Sequence, residues 1–247
     1  MYLIGAFHSD LKGEERLKKL LNYLKPKSIG LEWSVKTGSP APTNSELKED
    51  LELINQQISE YKQLASSFPH NLKKYFSRIV DAYCYEFRTV VSYQPFIGYE
   101  IYCIDKPGVR NIGKEFIKEI TNLSQFIEIQ KFSELPYENL LEEFQKICDL
   151  CYQDINSVLI SYNLEDIEWE FYLPSFFEER EEYMARKVEE LMPNVCVVGL
   201  LHTFLYDELS SELKRLVAKL MSKKTLADRI SHLKPKLLKL SCADSLS

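Results

Sequence analysis

The sequence predicts an α/β fold with a central, mostly parallel sheet flanked by helices, and three observations carry that expectation. Two short apolar runs, LIGAF before His8 and VCVVGLL before His202, are rich in Val, Leu and Ile and stop at a histidine, as buried strands do at a sheet edge. Between the first run and a third, Ser28 to Trp33, the residues Leu17, Leu20, Leu21 and Leu24 recur at helical spacing and Pro26 stops the pattern. Strand, helix and strand within about thirty residues make a right-handed parallel βαβ unit. A fourth run, EIYCID from Glu100 to Asp105, reads as another strand. In open α/β sheets ligands gather at the carboxyl ends of the strands. His8, Glu32, Asp105 and His202 all stand at such ends.

Composition narrows the classes. A chain of 247 residues with 45% hydrophobic and 28% charged residues suits a single soluble α/β domain over 1–247. A net charge of -6 speaks against nucleic acid as the main partner. No run approaches the roughly 18 apolar residues of a membrane span, and the opening residues lack a basic region followed by a long apolar one. A cytoplasmic protein is expected, its six cysteines reduced.

The remaining stretches follow in order. Lys36 to Ser45, rich in Pro, Gly, Ser and Thr, is a loop bordering the strand ends. Residues 46–92 read as a helical elaboration, one helix to Leu64 and a second from Leu72 to Val91. Glu86 falls within or beside the apolar stripe of that second helix, where a carboxylate is expensive unless it is paired. Residues 114–164 form a second helical elaboration, with Phe126 to Ile129 as an alternative short strand. Cys148 and Cys151 inside it read as helical core thiols, since there is no second pair and no nearby histidine. Glu165 to Glu182 mixes eight acids with aromatic residues, a lid or a solvated acidic face.

Pro174 opens a helix to Leu191 whose stripe is Phe177, Met184, Val188 and Leu191. Arg180 falls on that stripe and needs carboxylates or an anion for its donors. Glu86, with Glu32 beside it, is the expected partner. The tail 222–247 carries six Lys and Arg against two Asp, with Leu226, Ile230, Leu233 and Leu237 at helical spacing. It reads as a basic helix docked on the acidic body.

His8, Glu32, Glu86, Asp105, Arg180 and His202 are thus the candidate catalytic set, a mixture suited to polarising water and stabilising an oxyanion. No G-x-S-x-G elbow supports Ser9 or Ser34 as a nucleophile, and no Gly-rich phosphate loop is present. His70 and His232 lack such context. His8, Glu32 and His202 with an open position suit Zn, Mn, Co or Fe and its bound water, or they activate water directly.

These motifs resemble those of the superfamily that joins TraB/PrgY-type pheromone-shutdown proteins, Tiki metalloproteases, erythromycin esterases and ChaN-like haem-binding proteins. Its hallmark is a paired Gly-x-x-His, matched by GAFH ending at His8 and GLLH ending at His202. IGLEWS places Glu32 at the acid after the second strand, and EEREEYMARKV matches the Glu-Arg helix through Glu179 and Arg180. YEFRTVV offers Glu86 for the helical acid, with Tyr85 where the TraB pattern has a small residue. Asp105-Lys106 stands where TraB members carry Asp-Arg, and the helical middle resembles no member closely. The resemblance implies a central parallel sheet and, in several branches, hydrolysis of an ester or peptide bond in a small-molecule or peptide substrate. Its Tiki-like branch points to a metal, towards which the balance leans, and its erythromycin esterase branch to a metal-free base. The ChaN-like and pheromone-binding branches imply the competing class, a non-catalytic protein holding haem or a peptide in the same cleft.

Overall fold

The computed structural model of the protein describes residues 1–8, 10–64, 66, 70–108, 136–154, 174–211, 214 and 224–246. Strand β1 (Tyr2–Ala6) leads through helix α1 (Gly13–Leu24) into β2 (Ser28–Leu31). Three helices follow, α2 (Asn44–Leu64), α3 (His70–Asp81) and α4 (Tyr85–Ile97), before β3 (Glu100–Cys103). Helices α5 (Tyr137–Gln153) and α6 (Pro174–Leu191) precede β4 (Val195–Gly199). A 3-10 turn at Leu200–Thr203, the short α7 (Leu226–Arg229) and β5 (Lys236–Lys239) complete the order.

The sheet is five-stranded and parallel throughout, in the order β3-β2-β4-β1-β5. Its central strands are apolar without alternation because both faces are covered. Ile4, Ala6, Ile29, Leu31 and Val197 pack with Leu17, Leu20, Phe87 and Val90 on one face. Leu3, Cys196 and Val198 pack on the other face with Met184 and Val188 of α6 and with Leu226 and Ile230. Strand β4 lies between β1 and β2, with Ala6 opposite Gly199 and Leu31 opposite Val197. The carboxyl ends of β1, β4 and β2 therefore adjoin. Pairing runs past the strands proper, because the Glu32 amide donates to the Val197 carbonyl at 3.0 Å and the Asp105 amide to that of Trp33 at 3.2 Å.

Two expectations are corrected. The single helix from Leu72 to Val91 is two helices, broken where Cys84 adopts φ 49°, ψ 32°. Arg88 stabilises the break by reaching back from α4, its Nε donating to the Tyr83 carbonyl at 3.0 Å and its Nη2 to that of Asp81. The break puts Glu86 in the first turn of α4, where a carboxylate is favoured by the helix dipole. The basic tail is not one docked helix. Helix α7 stops at Arg229, Lys234 adopts φ 51° before Pro235, and Lys236–Lys239 joins the sheet as β5 beside β1. Pro235 cannot continue a helix, and the apolar pair Leu237 and Leu238 serves the strand.

Of the second elaboration, α5 holds Cys148 and Cys151, both buried thiols pushed up by burial, as read from the sequence. The alternative strand at Phe126 to Ile129 lies outside the described residues, as do the rest of 114–135 and 155–164 of that elaboration and residues 165–173 of the acidic stretch. No helix among the described residues is long and apolar enough to cross a membrane.

Candidate functional site

Glu32 is the hub of the strand-end cluster. Its Oε1 accepts from His202 Nε2 at 3.1 Å and from Arg180 Nη2, and its Oε2 accepts from the backbone N–H of Gly199. Residue 199 is glycine because the site needs a close approach: a Cβ there would lie 2.7 Å from His8 Nε2 and 3.3 Å from Glu32 Oε2. The end of β4 thus lets His8 from β1 and Glu32 from β2 close in on either side.

Both histidines bind a carboxylate through Nδ1. His8 Nδ1 lies 2.9 Å from Glu86 Oε1, and His202 Nδ1 lies 2.6 Å from Glu181 Oε1. They differ in exposure, for the His8 side chain is 61% accessible while His202 is buried. Burial alone would lower the pKa of His202, but the charges of Glu181 and Glu32 and the bonds to both raise it to about 10. The ring is an imidazolium at neutral pH, with both nitrogens donating. For His8, desolvation pulls the pKa down and Glu86, by charge and hydrogen bond, lifts it to about 9, with Glu32 adding to the rise. Glu32 is held well below the usual carboxylate range. Its burial works the other way, but His202 and Arg180 outweigh it.

Arg180 faces inward from α6, and its partners are Asp105 and Glu32. Its Nε donates to Asp105 Oδ1 at 2.7 Å and its Nη2 to Asp105 Oδ2 at 2.8 Å, a bidentate pair. The expected mutual pair of Glu86 and Arg180 is corrected, since Glu86 holds His8 instead. Asp105 acts through Arg180 and does not itself meet either histidine. Lys106 holds Glu179 at 2.5 Å, outside this cluster. Ser34 is buried and donates to the Val35 carbonyl at 3.4 Å, and Ser9 lies outside the described residues.

Comparison of the chain with protein-family models, with curated proteins and with solved structures gave no match. The geometry therefore stands alone.

A divalent metal on His8, Glu32 and His202 does not fit this donor set. His202 has no lone pair to give while both nitrogens donate to carboxylates, and the guanidinium of Arg180 already occupies Glu32 Oε1. Among the described residues no group of three or more His, Cys, Asp or Glu is arranged to hold a metal ion.

Glu181 is the site residue that sequence reading missed, and its signal was present. It stands four residues after Phe177 and three before Met184, filling the gap in the stripe of α6. The side chain is 1% accessible, and its Oε2 has no hydrogen-bond partner among the described residues.

Proposed function

We propose that the protein hydrolyses an ester or peptide bond in a small-molecule or peptide substrate by metal-free activation of water. One observation carries the reading: two carboxylate–imidazole pairs, Glu86–His8 and Glu181–His202, stand at the ends of adjacent strands, with Glu32 bonded to His202 and both Glu32 and His8 closing on Gly199. In its neutral form the exposed His8 takes a proton from water at Nε2, and Glu86 stabilises the imidazolium that results, the logic of a His-carboxylate pair. The water oxygen bonds to the carbonyl carbon. When the tetrahedral intermediate collapses, the proton on His8 passes to the leaving oxygen or nitrogen.

His202 and Arg180 supply fixed positive charge beside Glu32. Among the described residues the Nη1 of Arg180 has no hydrogen-bond partner, which leaves a donor for a developing oxyanion. The paired Gly-x-x-His resemblance supports the same reaction class. The test is a panel of activated esters and short peptides, assayed on chelator-treated protein. Hydrolysis by the native chain that drops at least about 100-fold in His8→Gln is expected. Turnover unaffected by His8→Gln, or turnover appearing only after Mn, Co or Zn is added, would overturn the proposal.

A further inference from the structure

A second charged cluster lies behind the site, and nothing in the proposed reaction uses it. Arg16 of α1 is buried at 2% accessibility yet carries a full charge, satisfied by three carboxylates. Its Nη1 donates to Asp10 Oδ2 at 2.8 Å, its Nη2 to Asp149 Oδ1 at 2.7 Å and its Nε to Asp244 Oδ1 at 3.0 Å. Such a network is costly to bury and strongly destabilising to break, so it fixes the relative positions of what it joins. It joins the segment after β1, helix α1, helix α5 and the C-terminal 3-10 turn Leu240–Ser245.

The cluster reaches the site through Tyr152 at the end of α5. The Tyr152 hydroxyl donates to Asp10 Oδ2 at 3.1 Å and accepts the backbone N–H of Phe7 at 2.9 Å. Phe7 immediately precedes His8. The guanidinium of Arg16 sits 5.5 Å from the centre of the Tyr152 ring. The ring of Tyr85 fills the space over Gly13, where a Cβ would come within 2.2 Å of it, and its hydroxyl neighbours Tyr152. Tyr85 precedes Glu86. Both halves of the His8–Glu86 pair are thus one residue away from a group that rests on Tyr152 or beside it.

We propose that Tyr152, anchored by Asp10 and Arg16, is a positioning residue for His8, holding the Phe7 amide so that His8 Nδ1 stays bonded to Glu86. This rests on His8 as the water-activating base, and the test separates the two claims. Tyr152→Phe keeps the ring and removes only the hydroxyl, leaving the Phe7 amide without its partner while Asp10 Oδ2 keeps Arg16. In the variant, the ¹⁵N signal of His8 Nδ1 should shift away from that of a hydrogen-bonded N–H, and the Phe7 amide should exchange with solvent at least about tenfold faster.

On any ester turned over by the native protein, kcat should fall by about 10- to 100-fold with KM unchanged, as a misplaced base predicts. An unchanged His8 signal beside a lowered melting temperature would show a merely structural tyrosine and overturn the inference. A shifted His8 signal with no hydrolysis in the native protein would keep the inference and sink the hydrolytic reading. If Tyr152→Phe does not fold, amide exchange in the native chain still decides: a Phe7 amide exchanging as fast as exposed loop amides contradicts the bond on which the inference stands.

Discussion

Replacing Glu181 by Gln tests the buried half of the site most sharply. Glu181 is the larger of the two charges that lift His202 from 6.5 to about 10. A histidine with a folded pKa near 10 and an unfolded value of 6.5 stabilises the fold fully below pH 6.5, and that contribution is lost as pH rises through 10. A rise from 6.5 to about 10 corresponds to roughly 5 kcal/mol of stabilisation of the His202 imidazolium. In Glu181→Gln the imidazolium keeps Glu32 but loses its nearer counter-charge, at a cost of about 3 kcal/mol near pH 6. Guanidinium unfolding at pH 6, 8 and 10 should show native stability declining across this window. The variant should be weaker at pH 6 and flatter with pH. His8 adds little to the slope, because its exposed pair with Glu86 is screened and contributes no more than about 1 kcal/mol. A native protein equally stable at pH 6 and pH 10 would refute the buried imidazolium.

Other outcomes follow from the same contacts. Gly199→Ala should cut turnover by about 100-fold, since the new Cβ lands 2.7 Å from His8 Nε2 and 3.3 Å from Glu32 Oε2. Arg180→Met leaves Asp105 without its cation and Glu32 with His202 alone, and should cost about 3–5 kcal/mol in denaturant unfolding. It should be strongly non-additive with Asp105→Asn and close to additive with Glu86→Gln, because Glu86 serves His8. Ser34→Ala should leave hydrolysis unchanged, and loss of an acyl-enzyme burst in that variant would show that a nucleophile had been overlooked.

Much of this architecture was legible in the sequence, and the failures have physical causes. The two Gly-x-x-His runs announced strand ends through their apolar composition, and Arg180 and Glu86 announced themselves as charges at positions that periodicity makes apolar. The same logic, applied to every gap in a stripe, would have found Glu181 between Phe177 and Met184, and Arg16 four residues before Leu20. Partner identity was not legible. Burial and opposite sign alone pair Glu86 with Arg180, whereas the left-handed turn at Cys84 turns Glu86 onto His8. Nor does local pattern say that β4 inserts between β1 and β2, the non-local pairing that brings His8, Glu32 and His202 to one point. In the tail, helical spacing of four leucines hid a strand because Pro235 splits them between two elements.

The pH dependence of kcat/KM, compared between the native chain and Glu86→Gln, tests the central claim most directly. With His8 at about 9 the base is mostly protonated at neutral pH, so turnover should rise with pH and level off near 9. Without the Glu86 charge the imidazole should lose its proton nearer to its ordinary 6.5. The limb should move to lower pH, and the plateau should fall by about tenfold or more as the imidazolium loses its support. A limb that stays in place in Glu86→Gln, or turnover that falls as pH rises through 9, would contradict His8 as the base held by Glu86.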